Sequence, residues 1–252
     1  MSKTNDEVYE MKLLFIRHAD PDYGHDSLTE VGFREAELLA DYLVNVPADA
    51  YYVSCLGRAR ATAAPTLERL GRTAEICDWL QEFRGVANKP HAVEKPSRAW
   101  DWLPSELETD DRFFDPARWF EPDGYQGLFP EQEYARVCAA LDELLAKHGY
   151  RRSGRFYSAE KRNSETLVFF CHFAIECVLL SHLISASPVT LWQGFCAAPS
   201  SITTVYTEER EEGIASFRIA SFGETPHLTL AGEQPSFAAR FCERWDDFSH
   251  RH

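Results

Sequence analysis

Two arginines and two histidines stand where apolar segments of the sequence end. Arg17 and His18 follow the run LLFI, His172 follows LVFFC, and Arg58 comes shortly after YYVS. In open α/β sheets, ligands bind beyond the carboxyl ends of the strands, so we expect these four side chains to converge. Guanidinium groups bind phosphate oxygens in a forked arrangement, and a neutral imidazole carries a lone pair that can attack phosphorus. The four residues therefore predict a site for a phosphate dianion.

The elements that must position these residues alternate between strands and helices. Continuous apolar runs predict buried strands, and apolar residues at helical spacing predict helices. The predicted strands are 13–16, 51–54, 74–77 and 167–171, the predicted helices are 30–44, 59–70, 131–147 and 174–184, and 202–207 with 215–221 are predicted as an antiparallel pair. This order predicts an α/β fold, a three-layer α/β/α sandwich whose sheet is mostly parallel with an antiparallel edge strand.

Two helix ends carry sequence signals. Ser27 or Thr29 is expected to cap the helix that begins at Glu30, because Ser and Thr side chains accept hydrogen bonds from the first turn of a helix. Gly71 follows the helix 59–70 at the position where a left-handed residue commonly ends a helix.

Residues 86–135 interrupt this alternation. They hold six of the 13 prolines of the chain and include Trp100, Trp102 and Trp119. We interpret the segment as an inserted cap within a single domain of residues 1–252. Its aromatic side chains either stack on an apolar or aromatic leaving group or pack among themselves. The segment has more acidic than basic residues, which disfavours multiply charged substrates.

Composition excludes several classes of partner. The formal net charge is -14, so the chain repels polyanions, and we expect it to bind neither nucleic acid nor membranes. No apolar stretch is long enough for a membrane span, and residues 1–12 do not match a signal peptide. The seven cysteines lack the spacing of a disulfide framework or zinc site, which favours a cytoplasmic location. We also expect the excess of acidic residues in the chain to raise the pKa values of the histidines.

Three segments together resemble the histidine phosphatase superfamily, which has the phosphoglycerate mutase-like fold. FIRHA corresponds to its RHG signature, SCLGRARATA to its S-x-L-x-R-A-x-x-T-A segment, and LVFFCHF to the strand that carries its second histidine. LTEVG and PSSITTVY are weaker matches, and the resemblance covers about residues 12–222. It implies that His18 is the nucleophile that accepts the phosphoryl group, while Arg17, Arg58 and His172 bind its oxygens. It implies no metal ion and no cofactor.

Phosphoryl transfer also needs a carboxylic acid, which protonates the leaving oxygen and then deprotonates the attacking water. Glu82 occupies the position that the family uses for this role, and Glu75 and Glu94 are alternatives. Arg84, close to Glu82, is a candidate substrate-binding residue.

Two residues depart from the family pattern. Ala19 replaces the usual glycine after the nucleophile, and Cys171 stands where a small polar residue or glycine is common. We expect Ala19 to be tolerated if it keeps a negative φ, because only a positive φ strongly favours glycine.

These features predict a metal-independent phosphatase that acts on a small-molecule phosphomonoester. One alternative is a mutase, although mutases hold the substrate carboxylate with an Arg-rich segment, and QEFRGVANKPH offers only Arg84, Lys89 and His91. A second alternative is a non-catalytic phosphate-binding protein on the same fold. A third, a metal hydrolase that uses His18 and His172 as ligands, is disfavoured by the adjacent arginines.

Overall fold

The computed structural model describes residues 10–236 and 245–246, so Cys242 lies outside the described residues. The strands in this part of the chain are β1 (Lys12–Arg17), β2 (Pro21–Asp22), β3 (Ser27–Leu28), β4 (Ala50–Ser54), β5 (Glu75–Cys77), β6 (Val86–Ala87), β7 (Ser97–Arg98), β8 (Tyr150–Ser153), β9 (Phe156–Ala159), β10 (Thr166–Cys171), β11 (Ile202–Glu211) and β12 (Ile214–Glu224). The α-helices are α1 (Glu30–Leu43), α2 (Gly57–Leu70), α3 (Pro104–Leu107), α4 (Pro130–Lys147), α5 (Phe173–Ile184), α6 (Pro188–Gly194) and α7 (Pro226–Ala231).

The central sheet has eight strands in the order β5-β4-β10-β1-β11-β12-β9-β8. Strands β5, β4, β10 and β1 pair in parallel, and every later pair in that order is antiparallel. The predicted α/β fold is confirmed, and so is the antiparallel pairing of β11 with β12. The parallel half positions the site, because the carboxyl ends of β4, β10 and β1 lie side by side at one edge.

Successive residues of β1 and β10 face opposite layers. Leu13 and Phe15 pack in one core cluster with α4 and α5, whereas Leu14 and Ile16 pack in a second cluster with α1 and α2. Every residue of β10 is buried. Both strands are covered on two faces, which explains their continuous apolar sequences and confirms the three-layer arrangement.

The helices that lead away from the site begin and end as the sequence signals suggest. Thr29, rather than Ser27, caps α1 by accepting a hydrogen bond from the Gly32 N–H group, since Ser27 is part of β3. Gly71 ends α2 with a φ of 60°. The helix α5 starts immediately after His172, which is its N-cap residue.

The cap segment, residues 86–135, contains only short elements. They are β6, β7, α3, the beginning of α4, and the 3-10 helices Asp111–Phe114 and Asp123–Tyr125. Trp100, Trp102 and Trp119 are all buried, in the same core cluster as α5. Trp102 and Trp119 pack among other aromatic side chains of the core, whereas Trp100 packs on Trp192 and also lines a cavity.

A hairpin of β8 and β9 extends the far edge of the sheet, in a segment for which the sequence patterns predict no strand. Tyr150 and Tyr157 are buried, whereas Arg151 and Phe156 are exposed. An edge hairpin with one buried face needs few apolar residues, so its sequence lacks the continuous apolar run that marks β1 and β10.

Candidate active site

The three neighbouring parallel strands bring four basic side chains to one edge of the sheet. Arg17 ends β1 and His18 follows it, Arg58 lies in the first turn of α2 after β4, and His172 follows β10. The ring centroids of His18 and His172 are 5.0 Å apart. The structure thus places together the four residues that the sequence singled out for binding phosphate.

The buried ring of His18 is held by the backbone of the next residue, Ala19. Its Nδ1 atom lies 2.8 Å from the carbonyl oxygen of Ala19, which can only accept, so Nδ1 must carry a proton and donate it. In the neutral ring the lone pair is then on Nε2. Burial, together with the charges of Arg17 and Arg58, lowers the pKa of His18 well below its ordinary value. The ring is therefore neutral at pH 7, and the expectation that the acidity of the chain raises the histidine pKa values is wrong for this residue.

His172 is also fully buried, and its ring is held by Ser54. The Ser54 hydroxyl accepts from the Leu56 N–H group at 3.3 Å, so it can donate its own proton to Nε2 of His172 at 2.9 Å. In this tautomer Nδ1 carries the other proton, and that atom has no hydrogen-bond partner among the described residues. Burial, then the charges of His18 and the arginines, lowers the pKa of His172 well below its ordinary value. The ring of His172 is thus neutral at pH 7, and in this tautomer its Nδ1–H group is available to donate.

Each of the two arginines is held by a loop. The guanidinium group of Arg17, which is 1% exposed, donates through Nη1 to the carbonyl oxygen of Ala197. Arg58 donates through Nη1 to Oδ1 of Asp26 at 2.8 Å, and its Cζ atom lies 5.4 Å from the ring centroid of Tyr23. Both guanidinium groups are therefore fixed before any ligand arrives.

Glu82 lies in the segment after β5 and its carboxylate reaches the first turn of α5. Oε1 accepts from the backbone N–H groups of Phe83 and Ile175, both at 3.0 Å. Burial raises the pKa of Glu82, and those two hydrogen bonds and the charges of Arg17 and Arg58 oppose the shift. A carboxyl group with a raised pKa keeps its proton to higher pH, as a general acid requires.

The other candidate acids lie elsewhere. Glu75 is exposed on β5, and Glu94 is exposed on the cap, where it lines a cavity. Arg84 is 57% exposed and its Nε atom donates to Oε1 of Glu133 on α4 at 3.1 Å. No contact within the described part of the chain brings Arg84 to the four basic residues, so its predicted role in substrate binding gains no support.

Four further residues surround the site. The Thr62 hydroxyl accepts from the Ala19 N–H group at 2.9 Å and donates to the Arg58 carbonyl oxygen at 2.8 Å. Ser54 and Thr62 are the Ser and Thr of the motif S-x-L-x-R-A-x-x-T-A, so this motif could have identified them from the sequence. No sequence motif points to Asp26 or Glu176. Glu176 in α5 is 1% exposed, and burial raises its pKa to about 8.

The two departures from the family pattern fit the local structure. Ala19 is buried against Leu28 and Ala36, and it is not among the described residues with positive φ, so its methyl group introduces no backbone strain. Cys171 is fully buried, and burial raises its thiol pKa well above the ordinary value. Its thiol therefore stays protonated and behaves as a small apolar group.

A cavity of about 740 Å³ lies beside the site, between the loop after β2 and the cap. Its lining includes Tyr23 from the loop and Lys89, Arg98, Trp100 and Asp101 from the cap. A cavity of this size accommodates a small organic molecule.

Comparison with known proteins identifies the family. The sequence profile of the histidine phosphatase superfamily (branch 1) matches residues 13–219. The chain belongs to this superfamily. No curated protein matches the sequence at a significant level.

Solved structures similar to this histidine phosphatase superfamily member support the fold. Mycobacterial hydrolase 1 is 17% identical in sequence, and its structure superimposes with a TM-score of 0.56 over 85% of this chain and 99% of that chain. A mycobacterial glucosyl-3-phosphoglycerate phosphatase is 17% identical, with a TM-score of 0.54 over 85% and 99% of the two chains. A phosphoserine phosphatase of Entamoeba histolytica is 20% identical, with a TM-score of 0.53 over 86% and 99%.

Within residues 10–236 and 245–246, no group of three or more His, Cys, Asp or Glu side chains is arranged to hold a metal ion. None of the helices in that part of this superfamily member has the length and apolar character needed to cross a bilayer.

Proposed function

We propose that this chain is a metal-independent phosphatase that hydrolyses a small-molecule phosphomonoester through a phosphohistidine on His18. One observation carries the proposal. The hydrogen bond from Nδ1 of His18 to the Ala19 carbonyl oxygen directs the lone pair to Nε2. The ring lies beside His172, and the charges of Arg17 and Arg58 act on it, which supports a nucleophile at a site for a phosphate dianion.

In the first step, Nε2 of His18 attacks phosphorus. A P–N bond forms as the P–O bond to the leaving alcohol breaks, and Glu82 gives its proton to the leaving oxygen. The alcohol departs, and the phosphoryl group stays on His18. The raised pKa of Glu82 supports this role, because the acid must be protonated when the ester binds.

In the second step, water attacks phosphorus from the side that the alcohol has left. The Glu82 carboxylate takes a proton from the water as the new P–O bond forms and the P–N bond breaks. Inorganic phosphate leaves, His18 returns to its neutral form, and Glu82 is protonated again.

Positive charge at the equatorial oxygens lowers the barrier of both steps. Arg17 and Arg58 supply it, and Nδ1 of His172 donates a hydrogen bond. The amino terminus of α5, which begins at Phe173, adds the positive end of a helix dipole. These groups supply the positive charge that a divalent ion supplies in metal-dependent phosphatases.

Two observations bear on the class of substrate. Arg84 is engaged by Glu133, so the basic group closest to Glu82 in sequence is not held for a substrate carboxylate. This supports hydrolysis over mutase-type transfer. The phosphoserine phosphatase and the glucosyl-3-phosphoglycerate phosphatase that resemble this chain act on small phosphomonoesters, which supports a substrate of the same class here.

The test uses para-nitrophenyl phosphate with purified protein. We expect turnover that vanadate inhibits, that EDTA does not affect, and that the His18→Ala variant lacks. Wild-type turnover no greater than that of His18→Ala between pH 5 and 8 would leave a non-catalytic phosphate-binding protein. Loss of activity with EDTA would favour a metal hydrolase, and efficient interconversion of 3- and 2-phosphoglycerate would favour a mutase.

A further inference from the structure

Tyr23 lies between the phosphate-binding residues and the cavity under the cap. Its ring centroid is 6.5 Å from that of His18, with the planes nearly perpendicular. The guanidinium carbon of Arg58 is 5.4 Å from the same centroid, and the tyrosine also lines the cavity. One side chain therefore contacts the nucleophile, a phosphate-binding arginine and the space where a leaving group would lie.

The loop that carries Tyr23 is anchored to the protein, although Tyr23 itself is 54% exposed. Asp26, in the same loop, accepts from Arg58 at 2.8 Å and from the Gly57 N–H group at 2.6 Å. This pair anchors the loop to the start of α2, and Arg58 in turn lies over the ring. A guanidinium group covers only one face of a ring, so Tyr23 keeps aromatic surface for a ligand.

Other planar groups line the same cavity. They are the imidazole of His91, the guanidinium of Arg98 and the indole of Trp100, with the Arg98 Cζ atom 5.5 Å from the Trp100 ring. Planar π systems favour planar ligands, in stacked or edge-to-face arrangements. The charges of Lys89 and Arg98 are balanced by those of Glu94 and Asp101, so the lining favours neither anionic nor cationic ligands.

We propose that Tyr23 is the specificity-determining residue of this site and binds the leaving group through its ring. The preferred substrates are then phosphomonoesters of alcohols that carry a planar aromatic ring close to the ester oxygen. This inference rests on the proposed function. The 6.5 Å between the two ring centroids supports it, because a phosphomonoester whose phosphorus lies at His18 has its leaving group within reach of a ring at that distance.

The experiment compares benzyl phosphate with cyclohexylmethyl phosphate. Both release a primary alcohol of similar size, but only benzyl phosphate has a planar ring. Aromatic pairs add about 0.5–1.5 kcal/mol beyond buried area, so we expect wild-type kcat/KM to favour benzyl phosphate by about 3- to 10-fold. Equal kcat/KM values for the two esters would overturn the inference.

Variants assign the preference to the ring. Tyr23→Leu should bring the ratio of the two kcat/KM values close to one, whereas Tyr23→Phe, which removes only the hydroxyl, should keep the wild-type ratio. Phe156→Leu is the matched control, because Phe156 is 55% exposed on β9 and does not line the cavity. An unchanged ratio in Tyr23→Leu, or a lost preference in Tyr23→Phe, contradicts a role for the ring.

The two proposals fail in different ways. If wild-type protein hydrolyses neither ester nor para-nitrophenyl phosphate faster than His18→Ala does, the proposed function fails. If it hydrolyses both esters without preference, only the role of Tyr23 fails. Inhibition of Tyr23→Leu by vanadate shows that the variant retains a folded phosphate site. If Tyr23→Leu does not fold, the kcat/KM ratios of wild type and Tyr23→Phe for the two esters test the role of the ring.

Discussion

Glu82 and Ile175 are joined by a hydrogen bond of 3.0 Å from the backbone N–H group of Ile175 to Oε1 of Glu82. This bond connects the segment after β5 to the first turn of α5, the helix that His172 caps. The candidate acid and the second histidine are therefore positioned by the same helix start, and a change at Glu82 can be designed to keep that connection.

Glu82→Gln keeps an oxygen that can accept from Ile175 but has no acidic proton. We expect kcat to fall by about 100- to 10,000-fold with alkyl phosphates, the range typical of a lost general acid. The loss should be smaller with para-nitrophenyl phosphate, because nitrophenolate leaves readily without a proton. The measurement is kcat for both ester types in wild type and variant. An equal loss with both would contradict a role in protonating the leaving group.

The pH dependence follows from the pKa shifts of His18 and Glu82. His18 must be neutral, and its pKa lies well below 6.5, so activity should fall on the acid side only well below that pH. Glu82 must be protonated, and its pKa is raised above 4.5, so activity should fall as pH rises through that raised value. We expect a bell-shaped profile of kcat/KM. The alkaline limb should be absent in Glu82→Gln, and its persistence there would assign it to another group.

Ser54→Ala removes the hydroxyl that orients His172. A lost hydrogen bond to a buried group costs about 1–3 kcal/mol, so we expect kcat to fall by about 5- to 150-fold. Ser201→Ala is the matched control, because Ser201 is 1% exposed and its hydroxyl has no hydrogen-bond partner among the described residues. A kcat of Ser54→Ala equal to that of the control would show that His172 does not depend on Ser54.

His227 links stability to pH. Its Nε2 atom is 2.9 Å from the Ser200 hydroxyl, and the Ser200 N–H group donates to the His18 carbonyl oxygen at 3.1 Å. Burial lowers the pKa of His227 to about 4. Below pH 6.5 the unfolded chain binds a proton at His227 that the folded chain does not bind. The contribution of neutral His227 to the free energy of unfolding is therefore fully present above pH 6.5 and is lost as the pH falls towards 4. The contribution lost between pH 6.5 and 4 is about 3 kcal/mol.

Urea unfolding at pH 7 and pH 5 measures this effect. The free energy of unfolding of wild type should fall by about 2 kcal/mol more between these pH values than that of His227→Gln. His25→Gln, which changes an exposed histidine, should behave like wild type. Equal pH dependence of wild type and His227→Gln would contradict the buried neutral state of His227.

The parallel half of the sheet and the basic core of the site could be predicted because their signals are local. Residues 13–16 of β1 and 167–171 of β10 form continuous apolar runs because both strands are buried on two faces, and Arg17, His18 and His172 follow these runs directly in sequence. Asp26 could not be found this way, because it meets Arg58 only through the packing of a polar loop on α2.

Two further properties depended on packing that composition does not reveal. A cap rich in tryptophan suits either mutual packing or ligand stacking, and in the structure Trp102 and Trp119 are buried in the core while Tyr23, from outside the cap, has an exposed ring beside the cavity. The pKa of His18 follows its burial and the adjacent arginines, because a net charge of -14 spread over a solvated surface acts weakly at a buried ring.

The central claim is that the phosphoryl group is transferred to Nε2 of His18. Rapid mixing with substrate, quenching in alkali, where phosphohistidine survives, and peptide mass spectrometry measure this directly. We expect one added phosphoryl group on the peptide that contains His18, formed as fast as turnover requires and absent from His18→Ala. Phosphate on another residue, or turnover by wild-type protein with no phosphorylated His18 at any time point, would contradict the account.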